Sequence, residues 1–291
     1  MKPAPFTYHD PATIEDAVSL LARLDNARAL AGGQSLMPMM NFRLAMPEHL
    51  IDLNGVASLA GMHRNGGSVT IGAMTRQRDL EFSPHIAADL PIMAEALRHL
   101  GHRQTRNRGT IGGSLCHLDP SAELVNLAAL HDGVLHIASA QGTREATFDA
   151  FAVGAMTTTL AADELLTAIR LALWPQPHGY CFTETARRRG DFAIAAVGVL
   201  LTLDRAGAID RAAITVSGLL PIPVRLTAAE TMLRGQTPGH EAFRAVAAGA
   251  ATLDAMEDPY ASAAYRRHLA RILLYRAMQT AAQRARQGVA S

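Results

Sequence analysis

Apolar residues recur at helical spacing through residues 13–24. Ile14, Ala17, Val18, Leu20, Leu21 and Leu24 can share one face, and Thr13 with Asp16 three residues on reads as the cap. Ala27 to Ala31 reads as a short strand running into Gly32-Gly33. A helix is expected from Leu36, broken by Pro38, and a strand over Leu50 to Leu53. Strand, helix and strand around a glycine turn make a small α/β unit. From Ser58 the pattern changes to short strands at Leu59–His63, Ser68–Ile71, Val134–Ala138 and Arg144–Thr147, with Asn65-Gly66-Gly67-Ser68 as a hairpin turn. Helices are expected at Arg78–Glu81, Pro91–Leu100 and Ala122–His131. Trp174-Pro175-Gln176-Pro177-His178-Gly179 interrupts both patterns and is the best domain boundary. Beyond it, Phe192–Asp204 and Ala212–Leu219 read as a hairpin around Ala206-Gly207. Ala228 onwards and Ala261–Arg286 read as helices, the latter long and amphipathic. No internal repeat is visible at a fixed period.

Two other Gly-Gly pairs share one grammar: apolar entry, two glycines, a polar residue, then an apolar run. They are Ala31-Gly32-Gly33-Gln34-Ser35-Leu36 and Thr110-Ile111-Gly112-Gly113-Ser114, the latter entered through Arg106-Asn107-Arg108-Gly109. Paired glycines let backbone N–H groups approach a ligand where a Cβ would obstruct, and consecutive N–H groups form an anion-binding concavity. Two such loops could hold the two phosphates of one dinucleotide. A plain turn is the competing reading of each pair taken singly.

Composition narrows the field. The chain has 291 residues, enough for two domains. Lys plus Arg is 27 and Asp plus Glu is 26, with no dominant basic block, which argues against a nucleic-acid partner. The basic run Arg187-Arg188-Arg189 reads either as a solvated loop or as a face turned to a cofactor or partner. Two cysteines, Cys116 and Cys181, are too few to ligate an iron–sulfur cluster. The N-terminus carries no apolar signal segment, and the longest apolar run, near 192–203, is too short to span a bilayer. The expectation is a soluble, cytoplasmic protein with two free thiols. His117 with one nearby cysteine does not make a metal site. Met39-Met40 reads as core filling. No Ser-His-Asp grammar, Walker loop or GxGxxG stands out, so no catalytic or metal residue is assigned.

The stretch Ala31-Gly-Gly-Gln-Ser-Leu-Met-Pro-Met-Met, with Arg43-Leu44 and Ile51-Asp52-Leu53, resembles the FAD-binding subunit of molybdenum hydroxylases. This is the xanthine dehydrogenase and aerobic carbon monoxide dehydrogenase family. The resemblance continues through Thr70-Ile-Gly-Ala-Met-Thr75, Arg106-Asn-Arg-Gly-Thr-Ile-Gly-Gly113, Asp119-Pro120 and Arg187-Arg-Arg-Gly-Asp-Phe-Ala193, in order over nearly the whole chain. It implies an α+β fold. An FAD-binding domain of the vanillyl-alcohol-oxidase/PCMH type would occupy 1–176, in two α/β subdomains of about 1–57 and 58–176. A small C-terminal α+β domain, with a short antiparallel sheet and helices, would occupy 177–291.

The resemblance also implies site residues. Gly32, Gly33, Gln34 and Ser35, flanked by Ala31 and Leu36, would bind the pyrophosphate. Thr110, Ile111, Gly112, Gly113 and Ser114 would do so from the second loop, with the Thr110 hydroxyl as an added donor. Asp119 and Glu123 could simply cap a helix, while the family places an acid here on the ribose or ribityl hydroxyls, Glu123 ahead of Asp119. Leu166 reads as core by composition. In the family a residue here lies on the flavin ring and offers a backbone group to its pyrimidine edge. Asp191 reads as a turn residue, and the family places its segment near the isoalloxazine.

The implied function is electron transfer. Electrons would pass from a molybdenum cofactor in a large subunit, through 2Fe-2S clusters in a small subunit, to non-covalent FAD here and on to an external acceptor. The partners would assemble as a dimer of heterotrimers. Two rivals remain: a stand-alone flavin oxidase, which would show activity as an isolated chain, and a non-enzymatic nucleotide-binding scaffold, which would stay colourless with added FAD.

Overall fold

The computed structural model describes residues 2–289, in two compact units. The first takes the residues up to Leu80, His102–Leu118 and Gly133–Ala172. The second takes Glu81–Gly101, Asp119–Asp132 and the residues from Leu173 onwards. The architecture is mixed α and β, as expected.

The first unit opens with three parallel strands. His49–Asp52 lies between Thr7–His9 and Ala27–Leu30. The helix Ile14–Arg23 starts at the predicted cap: Thr13 Oγ1 accepts from the Asp16 N–H at 3.1 Å. Ala17, Val18 and Leu21 on its apolar face pack into one cluster with Ile51, Leu53 and Leu59. Pro38 does not break the next helix. It lies in the first turn of Leu36–Asn41, where its missing N–H has no intrahelical bond to lose. The helix ends at Phe42, and Arg43 turns the chain with a left-handed φ of 57°.

The second sheet of this unit is antiparallel, in the order Met62–Asn65, Ser68–Gly72, Leu165–Ala172, Val134–Ser139 and Gly142–Thr147. Asn65 pairs with Ser68 across the Gly66-Gly67 hairpin, and Gly66 supplies the φ of 53°. The first expected strand begins late, at Met62, because Ala57–Leu59 forms a 3₁₀ turn. The central strand, Leu165–Ala172, is absent from the sequence reading. Leu165 and Leu166 are both buried, so the usual alternation is lost at its start, and a bulge shifts the register between Leu166 and Ala168.

The second unit is an antiparallel meander, Gly179–Thr185, Ala195–Leu203, Ile209–Ser217 and Val224–Arg225. The expected hairpin forms around Gly207, whose φ is 82°. Its first strand begins at Ala195 rather than Phe192, which lies exposed in the preceding turn. Ala195–Thr202 is buried throughout, because helices cover both faces: Ala263–Val289 on one side and Glu123–Leu130 on the other. The long helix comes so close that a Cβ on Gly179 would overlap the Ala281 carbonyl. The Pro91 helix ends at Ala96, short of Leu100. No helix among the described residues is long and apolar enough to cross a membrane.

Candidate cofactor site

Both glycine loops lie in the first unit, and they touch. A Cβ on Gly32 would overlap the carbonyl oxygen of Arg108, at the entry to the second loop, and a Cβ on Gly113 would stand 3.5 Å from the Ala31 Cβ. Gly112 rests against the turn before Arg76, where a Cβ would meet the Ala73 Cβ at 2.5 Å and its carbonyl oxygen at 2.7 Å. These glycines let three backbone segments approach more closely than any side chain allows.

The two loops differ in their free donors. Among the described residues, the N–H groups of Gly32, Gly33, Gln34 and Ser35 donate to no acceptor, and the Ser35 hydroxyl caps nothing. The carbonyls before three of them are held. Ala31 O accepts from Asn54 Nδ2 at 3.1 Å, Gly32 O from Gln34 Nε2 at 3.1 Å, and Gly33 O from the Met37 N–H at 3.2 Å. A trans peptide points its N–H opposite its C=O, so each held carbonyl turns the following N–H the other way. Gly33 takes a φ of 73°, which an L side chain rarely adopts.

The second loop corrects the expectation of a matching set of free N–H groups. Its Gly-Gly pair sits inside the helix Ile111–His117, and its donors are used at home. Ile111 N–H goes to Thr75 O at 3.1 Å, Gly112 N–H to Ala73 O at 2.8 Å, Gly113 N–H to Thr110 Oγ1 at 3.0 Å and Ser114 N–H to Thr110 O at 3.1 Å. Thr110 is the helix cap. Its hydroxyl oxygen accepts from Gly113 and keeps its own proton to donate.

Of the other residues singled out from sequence, Leu36 begins the helix after the first loop and Leu166 is buried on the central strand, both in the first unit. Asp119, Glu123 and Asp191 belong to the second unit. Asp119 Oδ1 accepts from the Ser121 N–H at 2.8 Å, in the turn before the helix, and does not cap the helix itself, whose N-cap is Ala122 with no side-chain cap bond. Glu123 is buried at the first position of its helix. Asp191 closes a turn on Arg188 O after Gly190, whose φ is 84°. Sequence reasoning missed Asn54 and Arg76. Both lie outside the glycine motifs, and both bond to carbonyls at the loop entries. Burial, then the nearby Arg108 charge, lowers the Arg76 guanidinium from its ordinary value. Both cysteines are free, and burial pushes the Cys116 thiol up to about 12 and the Cys181 thiol up to about 11.

Residues 4–174 match the family described as the FAD binding domain in molybdopterin dehydrogenase. Residues 180–281 match the CO dehydrogenase flavoprotein C-terminal domain. The chain belongs to the FAD-binding medium-subunit family of the molybdenum hydroxylases. It is 38% identical to the carbon monoxide dehydrogenase medium chain of Afipia carboxidovorans, over 98% of this chain and 100% of that one. It is 37% identical to the 6-hydroxypseudooxynicotine dehydrogenase complex subunit alpha of Paenarthrobacter nicotinovorans, over 98% and 97% of the two chains. A solved structure of reconstituted CO dehydrogenase from Oligotropha carboxidovorans superposes with a TM-score of 0.95 at 37% identity, covering 98% of this chain and 100% of that one. Quinoline 2-oxidoreductase from Pseudomonas putida gives a TM-score of 0.94 at 32% identity, covering 98% and 99%. As a medium-subunit flavoprotein, the chain carries an FAD-binding domain, and the residues present fit FAD. A diphosphate is rich in acceptors and has no donor to spare, and the Gly32–Ser35 loop offers undonated N–H groups.

Proposed function

We propose that this chain holds one FAD non-covalently and serves as the electron-transfer subunit of a molybdenum hydroxylase. The observation that carries the reading is the run of undonated N–H groups from Gly32 to Ser35, inside the region that matches the FAD-binding family. In sequence terms, the FAD-binding domain is proposed to run over 1–176 and the C-terminal domain over 177–291.

The first loop is the proposed pyrophosphate seat. Gly32, Gly33, Gln34 and Ser35 give N–H donors, and the Ser35 hydroxyl adds another. Thr110 and Ser114 offer hydroxyls from the second loop, while Gly112 and Gly113 keep that loop thin enough to lie close. The Gln34 side chain works inward, on the Gly32 carbonyl. Asp119 or Glu123 is proposed for the ribose or ribityl hydroxyls, as acceptor-only carboxylates. Leu166 and Asp191 are proposed neighbours of the isoalloxazine. Bound FAD would supply one- and two-electron redox chemistry, and the protein would supply orientation and electrostatics.

Electrons are proposed to arrive from 2Fe-2S clusters of a small subunit, themselves fed by a large molybdopterin-binding subunit, and to leave for an external acceptor. The relatives' names as medium chains and subunits of complexes support this division. So do the two lone cysteines, too few to hold a cluster. The 187–191 turn is the proposed part of the face that the small subunit covers, and the cytoplasm is the proposed location.

The test is to titrate FAD into the flavin-free chain and follow flavin fluorescence, then to precipitate the loaded protein with acid. One FAD per chain, released entirely into the supernatant, is expected. A chain that takes up no FAD overturns the reading, and flavin that stays with the precipitate overturns its non-covalent part.

A further inference from the structure

We propose that Asn54 and Arg76 are positioning residues for FAD, fixing the entries of both glycine loops and thereby aiming the first loop's N–H groups at the pyrophosphate. This rests on the reading of Gly32–Ser35 given above. Asn54 follows the strand His49–Asp52, and Arg76 follows the turn that Gly112 packs against. Neither belongs to a glycine motif, yet together they join the two loops.

Both ends of the Asn54 amide are engaged. Its Nδ2 donates to Ala31 O at 3.1 Å and also to Asp52 Oδ1, while its Oδ1 accepts from Arg76 Nη2. Arg76 Nη1 donates to Arg108 O. The orientation of the amide is therefore dictated. A guanidinium can only donate and a carbonyl or carboxylate can only accept, so flipping Asn54 would set donor against donor and acceptor against acceptor. Asp52 is held in turn, accepting from the Asn54 N–H at 2.9 Å and from the Tyr8 hydroxyl at 2.6 Å. The chain of contacts thus runs from the strand to the carbonyl before Gly32, and through Arg76 to the carbonyl before Gly109.

The consequence is directional. The Ala31 carbonyl and the Gly32 N–H belong to one peptide plane and point opposite ways. Holding the carbonyl on Asn54 sends the Gly32 N–H away from the protein's own acceptors. Donors fixed before the ligand arrives need no ordering on binding, which is where preorganisation gains affinity. Arg76 serves by bridging two acceptors at once. Lysine keeps the charge and loses the planar fork.

Two variants separate positioning from folding, and the second of them, which preserves the charge, separates it from charge as well. Asn54→Asp keeps the shape and the Arg76 pairing, but sets carboxylate oxygens against Ala31 O and Asp52. Arg76→Lys keeps the charge and cannot span both acceptors. The full-length flavin-free chain is titrated with FAD and, separately, with ADP, which carries the pyrophosphate without the flavin, and its melting is recorded without ligand. Each variant is expected to weaken FAD and ADP by the same factor, about ten- to a hundredfold, with melting of the ligand-free chain little changed. Variants that bind FAD as the parent does overturn the proposal, as does a loss confined to FAD and not shared by ADP. A loss of affinity matched by collapse of the ligand-free fold marks a structural role and also overturns it. If Asn54→Asp does not fold, Arg76→Lys decides. A parent chain that binds neither FAD nor ADP is a different failure, that of the loop reading itself.

Discussion

Gly32 lies so close to Arg108 that a Cβ on it would overlap the Arg108 carbonyl oxygen, the same oxygen that accepts from Arg76. The space is filled by backbone, which cannot swing aside as a side chain can. Gly32→Ala is therefore expected to push the two loops apart, at about 1–3 kcal/mol of stability, the usual range for overpacking, and to weaken FAD by more than tenfold. Gly67→Ala is the control. Nothing lies within 4 Å of its Cβ position, and its effect on melting and on FAD titration is expected to be negligible. Equal behaviour of the two variants would show that the close approach at Gly32 is unimportant.

Glu184 and His99, both in the second unit, give a pH prediction. Glu184 Oε1 lies 3.6 Å from His99 Nδ1, and its other carboxylate oxygen is buried without a partner. Burial pushes the Glu184 carboxyl up from 4.5 to about 7. A folded-state value above the unfolded one means that folding holds the proton. The stability this gives is fully present below the ordinary carboxylate value and is lost as pH rises through about 7. Burial lowers His99, so the imidazole gives little compensating charge there. Glu184→Gln should remove this slope and leave the chain about 2 kcal/mol more stable than the parent at pH 8. Denaturant unfolding of both proteins between pH 5 and 8 checks it, and parallel curves would refute it.

Asn126 links the helix Glu123–Leu130 to the sheet of the second unit. Its Oδ1 accepts from the Thr215 hydroxyl at 2.7 Å, and its Nδ2 donates to Ser217 Oγ at 2.8 Å, with all three side chains fully buried. Gly198 opposite leaves the room, since a Cβ there would come within 2.8 Å of Asn126 Oδ1. Asn126→Leu strands the Ser217 hydroxyl and leaves the Thr215 hydroxyl only the longer contact to Gly198 O at 3.5 Å, and is expected to cost about 1–3 kcal/mol, mostly the desolvation penalty of the group left unpaired. Thermal or denaturant unfolding measures it. A neutral effect would mean that the hydroxyls find new partners.

What was legible in the sequence was local. Thr13 with Asp16, the Gly66-Gly67 hairpin and the long apolar stripe after Ala261 each carry their signal within a few residues, and each forms where expected. The strand Leu165–Ala172 was not legible, because its identity as the centre of a sheet depends on partners far away in sequence, Ser68–Gly72 and Val134–Ser139. The site divides the same way. The Gly32-Gly33 loop shows itself in sequence, and the structure leaves its N–H groups undonated. Gly112 and Gly113 look alike on paper, yet their N–H groups go to Ala73 and Thr110. Whether such a donor is free is decided by what packs beside it. Asn54 and Arg76 carry no motif at all. Their importance lies in which distant carbonyls they reach.

The last prediction concerns assembly. If this chain relays electrons and performs no chemistry on the organic substrate, it needs partners that hold the metals. Its two cysteines are free and far too few for a cluster. Among the described residues, no group of three or more His, Cys, Asp and Glu side chains stands where a metal ion could bind. Co-expression with large molybdopterin and small iron–sulfur subunits from the same genome should give one co-purifying complex. Its mass should match a dimer of heterotrimers, and analysis should find molybdenum, iron and one FAD per copy of this chain. Substitutions in the 187–191 turn, such as Arg188→Glu, should weaken capture of the small subunit while leaving FAD content unchanged. The turn is short and exposed in part, so reversing one charge there alters the surface without emptying the core. Three chains that fail to co-purify would defeat the relay reading. So would a lone flavin-loaded chain that oxidises the organic substrate as fast as the full complex. Retained assembly in the turn variant would leave the relay standing and remove only the proposed docking face.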